Sequence, residues 1–348
     1  MKEIGSFVRP TIDAEQVVST ENYFIHTADR SYIDTMSGLW CTPLGYSNNN
    51  IKKAISKQLE INPFYNNYFH TQCDITELYS LELCKETNMD RVYFSLSGAA
   101  AIETAVKLAH HQRPTGKCMV MPKSYHGASV LSGYTSDYNL HNFHKMNSPI
   151  DVHLFKEEVP DDMSFIIIEP IICAGGVHDH SIDVWNAIKR YQSRGGIVIL
   201  DEIVTGFGKT GTMFAKDWIG FEPDIMTLGK AITNGYIPFA ATLVNNHMLP
   251  KGEFRHGYTC SGHPVAAAAA LESLYEFKKH DFVDDCMGAF QFTTIKKALT
   301  FKNKMKAAGY ITELSSSDAT RVVYCLPFII TDKHKKEFFS VANDTLSS

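Results

Sequence analysis

Long apolar runs are missing from this 348-residue sequence. No window approaches the ~18 uninterrupted apolar residues of a membrane-spanning helix, so no such span is expected. Clustered cysteines are missing too. The eight cysteines, at positions 41, 73, 84, 118, 173, 260, 286 and 325, lie far apart and include no Cys-x-x-Cys pair. Neither a disulfide framework nor a zinc site fits that spacing, whereas the reduced thiols of a cytoplasmic protein do. The histidines include His178-x-His180 and His110-His111 but no His-Glu-x-x-His, so no metal is expected. Charge of one sign is scarce. A formal net charge of −5 offers no broad attraction to nucleic acid or to an anionic membrane. The opening Met1-Lys2-Glu3-Ile4-Gly5 mixes charges and lacks the apolar stretch of a signal peptide.

What is present is the material for a large core. Hydrophobic residues make up 44% and charged residues 20%, which excludes disorder and a small stapled scaffold. The length suits about two domains of roughly 150 residues each. Residues 22–35 read as two short alternating strands around Ala28-Asp29-Arg30, and 47–61 as a helix capped by Ser47 or Asn48. From about residue 90, short β-branched runs alternate with helical segments: Val92–Leu96 then 99–111, Cys118–Met121, Phe165–Glu169 then 182–193, Gly196–Asp201, Ile225–Leu228 and Ala240–Val244. Phe165-Ile166-Ile167-Ile168 and Ile197-Val198-Ile199-Leu200 are apolar on both faces, as strands of a mostly parallel sheet covered by helices are. After Pro264 an Ala-rich helix leads into a lysine-rich, weakly patterned stretch. Beyond Gly309, two strand-like pieces (Ile311–Leu314 and Arg321–Cys325) precede a final amphipathic helix. The expected fold class is α/β, with a mostly parallel central sheet covered by helices and a small α+β domain built from both chain ends.

Ligands of such sheets bind beyond the carboxyl ends of the strands, so the residues just past each strand carry the functional information. Ser97-Gly98-Ala99 opens a helix, where free backbone N–H groups suit a phosphate, although a glycine there also suits an ordinary turn. Tyr125-His126-Gly127 offers an aromatic face that a heteroaromatic ring can stack on, or simply a half-buried tyrosine. Glu169 and Asp201-Glu202 each end a buried apolar run, and a bare buried carboxylate is costly unless paired or employed. A glycine-punctuated loop, not a helix, follows Asp201, which favours a functional carboxylate over a cap. Lys230 ends the run Ile225–Leu228, as a solvated loop lysine or as a nucleophile toward a carbonyl. Together, a lysine for an aldehyde, a carboxylate for a ring nitrogen, a tyrosine for a ring face and a helix start for phosphate describe one ligand, pyridoxal 5′-phosphate. Gly206-Phe207-Gly208 does not make a dinucleotide fingerprint, since no helix opens after it.

The sequence resembles class III aminotransferases of the pyridoxal-phosphate fold type I superfamily. The resemblance rests on Gly38-Leu39-Trp40-Cys41, Pro63–Phe69, Leu200–Gly211, Leu228-Gly229-Lys230-Ala231-Ile232 and His256–Pro264. It implies Lys230 as the Schiff-base lysine and Asp201 as the pyridinium partner. It also implies a cofactor set of Gly98, Ala99, Tyr125, His126, Glu169, Ile203 and Thr259, and a substrate pocket lined by Trp40, Tyr68, Tyr125 and Ala174. Thr259 and Tyr68 would come from the second subunit of a homodimer. Trp40, Phe64-Tyr65-Asn66-Asn67 and Ala174 resemble the ω-amino acid and amine:pyruvate branch. The implied domains are 1–45 as an N-terminal part of the small domain, 46–268 as the large cofactor domain and 269–348 as a shortened C-terminal small domain.

The expected activity is amino transfer from an amino acid or primary amine to a ketone or aldehyde by a ping-pong cycle, in a specialised biosynthetic role. A racemase or epimerase on the same scaffold is the alternative, and a degenerate binding protein a third. The chain departs from the family in three places. Ser97-Gly98-Ala99-Ala100-Ala101 lacks the usual hydroxyl after the glycine. The small domain is trimmed. The stretch Gly309–Thr320 contains no arginine to clamp a substrate carboxylate, and Arg321 reads as a strand residue.

Overall fold

The computed structural model describes residues 15–67, 70–137, 150–282 and 284–347. The apolar runs form the central sheet. Its strands are β4 (Arg91–Ser95), β5 (Lys117–Val120), β6 (Asp151–Leu154), β7 (Phe165–Ile168), β10 (Ile197–Asp201), β11 (Ile225–Leu228) and β12 (Ala240–Val244), in the order β4-β12-β11-β10-β7-β5-β6. Neighbours from β11 to β6 pair in parallel, and β12 alone runs antiparallel to β11 and β4. Burial on both faces is explained by what covers each. Phe165, Ile167, Ile197 and Ile199 pack under the helix Gly98–Gln112, through Ile102, Ala105 and Ala109. Ile166, Ile168, Val198 and Leu200 point the other way, onto Trp185, Ile188 and Tyr191 of the helix Ile182–Ser193. The two-residue side-chain period thus sends alternate residues of one run into two different cores.

A second layer joins the chain ends. β1 (Val17–Glu21), β2 (Phe24–Thr27) and β3 (Ser31–Asp34) form a meander, and β14 (Tyr310–Ile311) adds to β3 in parallel. β13 (Met287–Gln291), β16 (Arg321–Cys325) and β15 (Glu313–Leu314) make a three-stranded antiparallel sheet in that order. Helices Ile295–Ala307 and Asp332–Ser347 cover it through Phe301, Met305 and Phe338. The expected strand Ile311–Leu314 divides at Thr312 between the two sheets, and the weakly patterned stretch after residue 278 holds both β13 and a helix.

One local feature has no counterpart in the sequence reading. Ser37, Gly38, Leu39 and Trp40 all stand at positive φ (46°, 57°, 62° and 65°), a single left-handed turn. Trp40 N–H donates to Met36 O and Cys41 N–H to Ser37 O, both at 2.7 Å. L-residues avoid this conformation by roughly 1–2 kcal/mol each, so something must hold it. Buried Asp34 does: its Oδ1 accepts from Met36 N–H (2.9 Å), and its Oδ2 from Gly38 N–H (2.6 Å) and the Tyr46 hydroxyl (2.5 Å).

Candidate active site

The carboxyl ends of β4, β7, β10 and β11 converge on a cavity of about 350 Å³. Gly98, Ala99, Tyr125, His126, Glu169, Asp201, Ile203 and Lys230 line it, together with Gly127, Ala128, Ser129 and Val204. Residues spread over more than a hundred positions of sequence meet because each follows a strand of one parallel sheet.

Asp201 is the last residue of β10 and is 4% exposed. Its Oδ2 lies 2.7 Å from His126 Nδ1, while Oδ1 accepts from the Thr227 hydroxyl (3.1 Å) and Ile203 N–H (3.0 Å). Three donors hold a carboxylate that burial alone would penalise. His126 is itself buried, and its Nε2 has no partner among the described residues. Glu169 is likewise satisfied, accepting from Tyr125 N–H (3.0 Å) and Cys173 N–H (3.2 Å). Burial pushes its carboxyl up to about 7, with His126 opposing that rise and Asp201 adding to it. Glu169 therefore anchors the Tyr125 backbone as well as edging the cavity.

One end of the cavity is the start of the helix Gly98–Gln112. Ser97 caps it, its hydroxyl accepting from Ala100 N–H at 3.2 Å, and first-turn amides have no carbonyl of their own helix to bond. A Cβ on Gly98 would stand 3.0 Å from Ile203 Cδ1, and one on Gly229 3.3 Å from Ile203 Cγ2. Both glycines thus let Ile203 close the apolar side of the cavity. Lys230 follows β11 at φ +43°, a region that side chains rarely adopt, and its Nζ stands over the Trp40 ring at 5.1 Å. The left-handed turn delivers that ring, and the buried Trp40 Nε1 has no partner among the described residues.

Not every expected residue arrives. Ala174 lies outside the cavity lining, its carbonyl taken by the hydroxyls of Ser315 (2.9 Å) and Ser316 (3.0 Å). Thr259 is exposed and does not line the cavity of its own chain. Tyr68 lies outside the described residues. Ala128, Ser129 and Val204 were not named as site residues; the first two follow Tyr125-His126-Gly127 directly and Val204 follows Ile203, so continuing those loops along the cavity edge would have found them.

The donor set fits pyridoxal phosphate: a lysine for the aldehyde, a buried and fully hydrogen-bonded carboxylate for the ring nitrogen, apolar and aromatic sides for the ring, and free amides for the phosphate. A mostly parallel sheet presenting these groups at one edge defines a pyridoxal-phosphate enzyme of fold type I. Comparison with known proteins agrees. The aminotransferase class-III family model matches residues 12–300. Vanillin aminotransferase of Capsicum annuum is 31% identical over 318 residues, covering 76% of this chain and 68% of that protein. Gamma aminobutyrate transaminase 1 of Solanum lycopersicum is 31% identical over 327 residues, covering 78% of this chain and 63% of that one. The chain thus spans about two thirds of the length of these curated relatives. Among solved structures, the PMP-bound aminotransferase from Vibrio fluvialis matches at a TM-score of 0.88 and 22% identity, covering 99% and 96% of the two chains. The omega transaminase from Pseudomonas jessenii in complex with PMP matches at 0.88 and 23%, covering 98% and 97%. At such identities these two speak for the fold. The chain belongs to the class-III aminotransferase family, and is a pyridoxal-phosphate-dependent enzyme of the transaminase type.

Proposed function

We propose that this enzyme moves an amino group from an amino acid or a primary amine to a ketone or aldehyde in two half-reactions at one site. The single observation that carries the reading is the joining of Lys230, Asp201, Ile203 and the Gly98 helix start around one cavity. When bound, the cofactor supplies an electron sink for the electrons left behind at the substrate carbon. Lys230 Nζ would hold the cofactor between turnovers and move the proton of the substrate carbon, working against the Trp40 face. Asp201, fixed by His126 and Thr227, would keep a proton on the ring nitrogen, because an opposite charge favours the protonated form. Ile203 and Val204 would exclude water from one side, and the amides at Gly98 and Ala99 would orient the phosphate. Amino transfer is favoured over racemisation by the family and by the relatives, which carry transaminase names.

The same reading includes a homodimer. Thr259 is exposed, and so are Ile61, Phe64, Tyr65, Leu78 and Leu81 nearby, an apolar surface suited to a second copy. In such a dimer Thr259 would serve the site of the other copy. Trp40, whose ring faces Lys230, supports primary amines and ω-amino acids as donors, and a specialised biosynthetic role belongs to the same reading. A half-reaction panel tests the whole. Varied amines and amino acids should bleach the visible band of the bound cofactor, and varied carbonyl acceptors should restore it. Failure of every donor, or exchange of the substrate α-hydrogen in deuterated water with inversion and no acceptor, would replace amino transfer by another chemistry.

A further inference from the structure

Ser129 reaches the cavity from the loop that follows β5, just before the short helix Val130–Tyr134. Gly127 makes the approach possible. It stands at φ +127°, where a Cβ would lie 2.9 Å from the Ala99 Cβ and 2.6 Å from Ser132 Oγ. The backbone of this loop therefore runs against the start of the helix Gly98–Gln112. That start offers backbone donors only, because Gly98, Ala99 and Ala100 carry no hydroxyl. Among the described residues that line the cavity, Ser129 is the one serine or threonine, and it is exposed.

The Ser129 hydroxyl is held in a way that lets it leave. It donates to Glu103 Oε1 at 2.7 Å and lies 2.8 Å from Ser132 Oγ. Glu103 Oε1 also accepts from Leu131 N–H (2.8 Å) and Ser132 N–H (3.1 Å). One carboxylate oxygen thus carries three donors, and the two backbone donors suffice to satisfy it. Ser132 Oγ in turn accepts from Ser129 N–H (3.2 Å), so the loop backbone is tied down independently of the hydroxyl proton. A serine hydroxyl has one proton to give, and that proton swings freely about the Cβ–Oγ bond. Turning it away from Glu103 strands no backbone donor and leaves the carboxylate with two.

We propose that Ser129 is a ligand of the cofactor's phosphate, its hydroxyl turning from Glu103 to a phosphate oxygen when the cofactor is bound. It would add to the backbone amides the side-chain donor that the helix start lacks. A hydrogen bond to a charged phosphate is a strong one, but a bond to a carboxylate is given up in exchange, so the net gain is modest. Glu103 opposes the phosphate twice, as a rival acceptor and as a like charge. The inference depends on the pyridoxal-phosphate site and holds whichever reaction follows there.

Titration of the full-length apoprotein with pyridoxal 5′-phosphate and with pyridoxal, which lacks only the phosphate, tests it through the visible band of the bound cofactor. Ser129→Ala should weaken pyridoxal 5′-phosphate by about 10-fold and leave pyridoxal within about twofold. Glu103→Gln keeps an oxygen for the two amides and removes the opposing charge. It should tighten pyridoxal 5′-phosphate by about threefold, again without moving pyridoxal. Pyridoxal affinity also reports whether the loop has kept its fold in each variant. Equal weakening of both ligands in Ser129→Ala, an unchanged affinity for pyridoxal 5′-phosphate there, or a weakened one in Glu103→Gln would overturn the proposal. If no amine bleached the cofactor, the amino-transfer reading would fail, while both titrations would still report on Ser129.

Discussion

Lys209 is buried at 1% exposure, and among the described residues its ammonium donates to Gly206 O (2.9 Å) alone, far short of what an ammonium needs. Burial pushes its pKa down, only partly offset by the thiols of Cys325, Cys286 and Cys41, while Lys230 pushes the same way. A lysine whose folded pKa lies below its unfolded one costs stability at neutral pH, and the cost fades as pH rises toward the unfolded value. Lys209→Met should therefore stabilise the cofactor-free protein by about 1 kcal/mol or more near pH 7, with a smaller gain near pH 10, as read by urea denaturation. Glu202 presents the opposite case. It is fully buried, and despite accepting from Ala215 N–H (2.7 Å), Lys216 N–H (2.9 Å) and the Thr205 hydroxyl (3.2 Å), burial raises its carboxyl from 4.5 to about 7. Its contribution is complete below the unfolded pKa and is lost as pH rises through the folded one. A shift of this size is worth about 3 kcal/mol across that window. The melting temperature of the apoprotein should decline as pH is raised through the window, and Glu202→Gln should flatten the decline. An unchanged slope would assign the dependence to other groups, Glu169 first among them.

At the scale of elements, the left-handed turn Ser37–Trp40 links stability to the site. Removing the Asp34 carboxylate strands three donors, each worth about 1 kcal/mol or more, so Asp34→Ala should cost about 3 kcal/mol and release Trp40 from Lys230. Denaturation measures the first effect and tryptophan emission of the holoenzyme the second. A loss below about 1 kcal/mol would mean the turn is held by other contacts. This element also marks where sequence reading stops. Runs such as Phe165–Ile168 and Ile197–Asp201 announce themselves because both faces are apolar, and the strand-end rule then places Glu169, Asp201 and Lys230. Ser-Gly-Leu-Trp carries no such mark: three of its four residues are strained against their own preference, and the force holding them comes from Asp34 and Tyr46. β13 was hidden for a different reason, since Met287–Gln291 is only half buried in a narrow sheet and shows no clean alternation. The serine-rich turn before β16 likewise concealed how Arg321 comes to stand opposite Ser315.

For the whole molecule, the proposed dimer makes each site depend on two chains. Lys230→Ala abolishes one half of that dependence and Thr259→Val weakens the other. Co-refolded mixtures of the two variants would contain hybrid dimers in which one site regains both native residues. Their activity should exceed the mean of the two parents, whereas a site complete within one chain would give the mean and no more. The architecture has a comparable dependence inside a single chain. Thr35 O accepts from Cys325 N–H (2.6 Å), the Ser37 hydroxyl donates to Cys325 O (2.8 Å), and Phe328 N–H donates to Pro43 O (2.8 Å), while β14 completes the sheet begun by β3. The segment that presents Trp40 is thus clasped by residues translated long after it. A nascent polypeptide paused before Gly309 would already own its lysine and its aspartate, yet its pocket would lack a wall until the segment carrying β14 and β16 had followed.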